Sequence, residues 1–180
     1  MSDRVHITDV APRDGLQNER GFVPTPEKIR LVGLLADAGV DAVEVTSFVS
    51  PKWIPQLADA EEVFERVLEL FASRDTAPAI SALVPNEKGL DRATRFHTPD
   101  RPLQIGLFTA ASETFCARNL NASIDETIER FQTVVPRALD QGMRIRCYIS
   151  CAVACPFEGA VAPRAVRAVA EKCIALAPDA

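Results

Sequence analysis

Between positions 9 and 19 the sequence D-V-A-P-R-D-G-L-Q-N-E sets a guanidinium directly beside a carboxylate and follows them with two side-chain amides. Arg13 offers a rigid fork of N–H donors suited to a carbonyl or enolate oxygen, and Asp14 offers the hard oxygen that suits a divalent cation such as Mg2+ or Mn2+. The same Pro-Arg-Asp-Gly string is good β-turn sequence, so the segment must do one job or the other. The polar residues around it argue for chemistry. A second run, V-E-V-T-S-F-V-S-P-K-W-I-P-Q at 43–56, sets Glu44 inside an otherwise apolar stretch. If that stretch is a strand, Glu44 and Thr46 share one face and Val43 and Val45 the other. A carboxylate inside such a strand needs a partner. Arg13 is the natural candidate, a helix lysine the alternative. A third run, S-C-A-V-A-C-P-F-E-G at 150–159, holds two thiols. No neighbour in the sequence supplies a field that would lower their pKa, so Cys151 and Cys155 read as packing thiols. Trp53, the single tryptophan, reads as a packing anchor between Pro51 and Pro55.

These residues need elements that bring them together. Short runs rich in branched residues alternate with longer helical-period segments, the pattern of βα repeats around a parallel sheet. Strands are expected at 5–10, 42–46, 79–84, 103–108 and 144–150. Helices are expected at 26–38, 58–72, 87–96, 123–141 and 162–176, with a short turn at 112–119. Pro26 suits a first helical position, Gly39 a residue just past a helix end, and Ser123 with Glu126 a capping box. Five such units fit a doubly wound sheet or part of an eight-unit barrel. No glycine-rich phosphate fingerprint follows the first strand. Arg13, Asp14, Gln17, Glu44, Thr46, Ser47, Thr109, Ser112, Ser150 and Glu158 all fall at or after strand C-terminal ends, which favours the barrel.

Composition narrows the function classes. With 47% hydrophobic and 25% charged residues among 180, the chain reads as one soluble globular domain. A net charge of -5 argues against nucleic acid or an anionic membrane as partner and leaves a small molecule. The expected compartment is the cytoplasm, since strand-like sequence begins at Val5 and no run approaches a bilayer span. Five cysteines without histidines at zinc spacing make neither a disulfide framework nor a metal finger.

Together P-R-D-G-L-Q-N-E at 12–19, T-S-F-V-S-P-K-W-I-P-Q at 46–56, A-A-S-E-T-F-C-A-R-N-L-N at 110–121 and S-C-A-V-A-C-P-F-E-G at 150–159 resemble the 3-hydroxy-3-methylglutaryl-CoA lyase family. Arg-Asp-Gly also occurs in the related isopropylmalate and homocitrate synthases, but the L-Q-N-E extension and S-F-V-S-P-K-W look like lyases. The resemblance runs from about 5 to 176. It implies an α/β fold, a TIM (β/α)8-type barrel truncated to about five βα units. On this reading residues 1–180 are the N-terminal portion of a single catalytic barrel domain, with strands six to eight missing. It implies a metal-dependent retro-Claisen cleavage of an acyl-CoA, 3-hydroxy-3-methylglutaryl-CoA, to acetyl-CoA and acetoacetate. Asp14 then corresponds to a ligand of the divalent metal, Mg2+ or Mn2+. Arg13 corresponds to the catalytic residue that binds substrate and steadies the enolate oxygen, Glu44 to a catalytic acidic residue near it, and Gln17 to a substrate contact.

The family also brings a His-x-His pair, an asparagine ligand and a glycine-rich loop with a catalytic cysteine. His6 and His97 are the histidines here and lack that spacing, so none of the five cysteines is given that role. A five-unit chain is expected to leave strands one and five with open edges, which invite association. By itself it should be marginally stable and inactive. A homodimer or a complementing C-terminal half-barrel is the expected partner. The alternatives are a related condensing synthase and a non-catalytic half-barrel assembly module.

Overall fold

The computed structural model describes residues 4–177. Five parallel strands, β1 (Thr8–Asp9), β2 (Ala42–Ser47), β3 (Ala79–Leu83), β4 (Gln104–Ala110) and β5 (Arg144–Ser150), lie side by side in the order in which the chain makes them. A doubly wound sheet would reverse its strand order part way along. Steady progression is the path of a barrel wall, so the structure decides between the two expected architectures. Helices make the crossovers: α1 (Thr25–Asp37), α2 (Ala60–Ala72), α3 (Glu87–Thr94), then α4 (Glu113–Leu120) with α5 (Ile124–Asp140); α6 (Pro163–Ile174) follows β5.

Alternation along each strand separates two faces. Val43, Val45, Ile80, Ala82, Ile105 and Leu107 turn toward the helices and pack with Val32, Phe64, Val67, Phe71, Leu90 and Phe131 into one core. The residues between them, Glu44, Leu83, Gly106, Phe108 and Tyr148, fall on the opposite face. Among the described residues, no further strand pairs with the outer edges of β1 and β5.

Local signals explain most boundaries. Ser123 accepts from the Glu126 N–H at 3.1 Å while the Glu126 carboxylate accepts from the Ser123 N–H at 2.6 Å, the expected capping box. That reciprocal bond lowers the Glu126 pKa. Gly39 takes φ 79° immediately after α1, where a Cβ would be strained.

Three expectations need correction. The first strand is confined to Thr8–Asp9, because Val10, at φ -115° and ψ 5°, already turns into a π-helical turn at Ala11–Gly15. His6 therefore lies outside the strand. Residues 113–120 form a true helix, capped by the Ser112 hydroxyl on the Phe115 N–H at 3.1 Å. The loop after β5 contains a small antiparallel hairpin, β6 (Ala154–Cys155) with β7 (Gly159–Ala160). Its two-residue strands are too short to show a period.

Candidate active site

The loop that begins at Arg13 is held by structure distant in sequence. Lys28 of α1 is buried and donates to the Gln56 carbonyl and, at 2.6 Å, to Asp59, which also accepts from the Thr25 hydroxyl at 2.7 Å. The Gln56 amide bonds the Val23 N–H at 3.2 Å and the Gly21 carbonyl at 3.1 Å. The loops after β1 and β2 are thereby fixed to each other. The alternative of a helix lysine for Glu44 fails because its carboxylate accepts from Arg13 and Tyr148 instead, while Lys28 is engaged here.

Glu44 is fully buried, and its carboxylate is shared between two donors. Arg13 Nε donates to one oxygen and the Tyr148 hydroxyl to the other at 2.8 Å. Arg13 Nη1 donates at 2.6 Å to Asp14, whose side chain remains 57% exposed. The Arg13 guanidinium also sits 5.9 Å from the centre of the Tyr148 ring. Among the described residues its Nη2 has no hydrogen-bond partner. Two carboxylates on one guanidinium leave a surplus negative charge, and the exposed share of it is on Asp14. Burial, and then the negative charge of Glu44, raise the Tyr148 pKa, so the phenol keeps the proton that it donates.

Above this array opens a cavity of about 510 Å3 at the C-terminal ends of the strands. Arg13, Asp14, Gln17, Asn18, Trp53, Leu83, Phe108, Phe115, Tyr148 and Ser150 are among the residues that line it. A mostly apolar cleft with a few convergent polar groups is the usual form of a small-molecule site. Arg13, Asp14 and Gln17 face this space, and Glu44 lies beneath it holding Arg13.

Other expected site residues serve structure. Thr109 bonds Thr127 of α5 at 2.7 Å, Ser112 caps α4, and Glu158 accepts from the Thr114 N–H at 2.8 Å. Trp53 is 60% exposed on the cavity rim, so it does not anchor packing. Cys155 also departs from expectation. Burial raises its pKa, but hydrogen bonds from Ser112 and the Phe157 and Glu158 amides outweigh burial and hold it below the ordinary thiol value. Ser112 is distant in sequence, which hid the effect. Burial and Cys155 push Cys151 up to about 11.

Nothing in the residues next to Tyr148 marks it as a site residue, although the strand period carries a signal. It alternates with Ser150 along β5, and a strand that places Ser150 at the site places the single tyrosine on the same face. Gly106 is equally hidden and equally involved. A Cβ there would stand 3.0 Å from the Glu44 oxygen that accepts from Tyr148 and 3.1 Å from the Tyr148 ring. Gly106→Ala is therefore expected to cost about 1–3 kcal/mol, read by urea unfolding, with loss of turnover from the displaced carboxylate. Unchanged stability and turnover would show that the array has slack.

No group of three or more potential ligands gathers among the described residues, and no helix there is long and apolar enough to cross a membrane. The family model described as HMGL-like matches residues 4–179. Mitochondrial hydroxymethylglutaryl-CoA lyase of Rattus norvegicus is 42% identical over 174 residues, 96% of this chain and 50% of that protein. The crystal structure of the HMG-CoA lyase from Brucella melitensis superposes with a TM-score of 0.87 at 44% identity, covering 98% of this chain and 59% of that one. An HMG-CoA lyase from Acinetobacter baumannii, solved with coenzyme A and 3-methylmalate, gives 0.83 at 33% identity, covering 95% and 53%. The chain spans about half the length of the curated relatives it matches.

Proposed function

The chain belongs to the HMGL-like family, and from that premise we propose that the protein carrying it cleaves 3-hydroxy-3-methylglutaryl-CoA to acetyl-CoA and acetoacetate. The observation that carries the proposal is the Arg13–Glu44–Tyr148 array under a cavity at the strand ends. In the cleavage the tertiary hydroxyl loses its proton and its oxygen becomes the acetoacetate ketone. The broken carbon–carbon bond leaves its electron pair on the thioester fragment as an enolate, which protonation turns into acetyl-CoA. Charge develops on the thioester oxygen, and a preorganised donor aimed there acts mainly in the transition state.

Arg13 takes that role. Glu44 and Asp14 occupy its Nε and Nη1, which fixes the plane of the guanidinium and leaves Nη2 for the oxygen. Glu44 is a positioning residue, held in turn by Tyr148. Gln17 lines the same cavity and offers an amide to the polar parts of the substrate.

A divalent cation, Mg2+ or Mn2+, would add positive charge for the same oxygens. Asp14 fits as one hard donor, exposed to the cavity and carrying uncompensated charge. One carboxylate does not make a cation site. On this reading a partner such as a complementing half-barrel or a second copy would supply further donors.

The test uses the full-length protein with 3-hydroxy-3-methylglutaryl-CoA, following acetyl-CoA and acetoacetate. Stoichiometric release of both is expected. Consumption of acetyl-CoA with a 2-oxo acid, and no cleavage, would instead make the protein a condensing synthase.

A further inference from the structure

Cys147 on β5 and Cys173 in the last turn of α6 stand with their sulfur atoms 3.2 Å apart. Both are free thiols and both are partly exposed. They lie on the helix side of the sheet, since Cys147 packs toward the core while its neighbour Tyr148 lines the cavity. The proposed cleavage uses neither.

A disulfide needs sulfur atoms at about 2.05 Å, so the pair must close by only about 1.2 Å, within the reach of side-chain rotation. The partners come from a strand and a helix that already pack on each other, which makes oxidation a local event. Cys116, by contrast, is buried, and its nearest polar neighbours are Thr109 and the Ala110 carbonyl, both at 3.9 Å.

We propose that Cys147 and Cys173 form a reversible intramolecular disulfide by exchange with a low-molecular-weight disulfide such as oxidised glutathione. The Cys173 thiolate attacks one sulfur of the reagent, the reagent's S–S bond breaks, and one glutathione thiolate leaves. Cys147 then loses its proton and attacks the Cys173 sulfur, expelling the second glutathione. Two protein thiols are oxidised by two electrons, the reagent is reduced to two thiols, and the two cysteine protons end on them. The order follows from the hydrogen bond in place. Cys147 donates its S–H to Cys173, which holds Cys173 below the usual thiol range, while that bond and burial hold Cys147 well above it.

Closure would tie α6 to β5 between cysteines 26 positions apart in the chain, a span that includes the loop with β6 and β7. Shortening the free chain in this way raises the unfolding temperature.

The full-length protein is equilibrated with oxidised glutathione, quenched, digested with trypsin and mapped without reduction. The expected product joins the peptide that begins at Cys147 to the one that begins at Cys173, with loss of two hydrogens. The thermal midpoint should rise by roughly 5–10 °C and return on adding dithiothreitol. Cys147→Ser and Cys173→Ser should each abolish the crosslink and the shift, whereas Cys151→Ser should keep both. Glutathione adducts without a crosslink would overturn the proposal. So would a crosslink from Cys173 that survives in Cys147→Ser, which would assign it to Cys151 or Cys155. Neither result depends on whether the protein is a lyase.

Discussion

Arg13→Met in the full-length protein is expected to lower kcat for cleavage of 3-hydroxy-3-methylglutaryl-CoA by about 10²–10³-fold, with little change in KM. The size follows from removing one preorganised donor aimed at an oxygen that gains charge only as the bond breaks. The split between kcat and KM follows because such an interaction is stronger in the transition state than in the ground state. Stability confounds this test, since the substitution leaves the buried Glu44 carboxylate without the stronger of its two donors. Two companions separate the effects. Arg13→Lys keeps the charge but loses the planar fork that meets Glu44 and Asp14 at once, so it should recover only part of kcat. The double variant Arg13→Met with Glu44→Leu removes the stranded charge, and it should regain stability over Arg13→Met without regaining turnover. Full activity in Arg13→Met would remove the arginine from the reaction.

The parts of this site that were legible in the sequence are those where local pattern and side-chain chemistry coincide. Arg13 and Asp14 are adjacent in the chain, and Glu44 is anomalous within its strand, so burial makes Arg13 its natural partner, with a helix lysine as the alternative that the structure removes. The five-unit βα order followed from alternating periods, and the capping box of α5 from Ser123 and Glu126. What escaped depends on contacts across the sheet. Tyr148 reaches Glu44 over 104 positions, and Gly106 matters only because both crowd around it. Cys155 is shifted by Ser112, and Trp53 is exposed because the lysine-centred bonds of Gln56 and Asp59, rather than the indole, fasten its loop. The first strand is shorter than its sequence suggests for a different reason. Apolar sequence at 5–10 suits a strand, yet Asp41 holds the segment by its carboxylate on the Ile7 N–H at 2.9 Å, and the chain leaves extended geometry at Val10. That backbone bond, more than the nearby Arg4, also lowers the Asp41 pKa.

Glu44→Ala is expected to cost about 3–5 kcal/mol, read as a shift in the urea midpoint with little change in slope. Three losses combine. Arg13 keeps a nearly buried guanidinium with only the exposed Asp14 to answer it, the Tyr148 hydroxyl loses its acceptor, and a void opens between β2 and β4 beside Gly106. A domain's whole margin is about 5–15 kcal/mol, so this one residue decides whether the fold persists at working temperature. Glu44→Gln distinguishes charge from volume. Its amide fills the same space and its carbonyl can still accept from Tyr148, but an N–H₂ now competes with the Arg13 donor, so the guanidinium is no longer held. Glu44→Gln should therefore be more stable than Glu44→Ala yet remain low in kcat, because turnover needs the guanidinium plane fixed while folding needs mainly the space filled. Tyr148→Phe gives the complementary case, in which the Arg13–Glu44 pair remains and only the second hydrogen bond is lost. If Glu44→Gln matched the parent in turnover, Glu44 would be a packing group with a satisfied charge, and the orientation of Arg13 would rest on Asp14 alone.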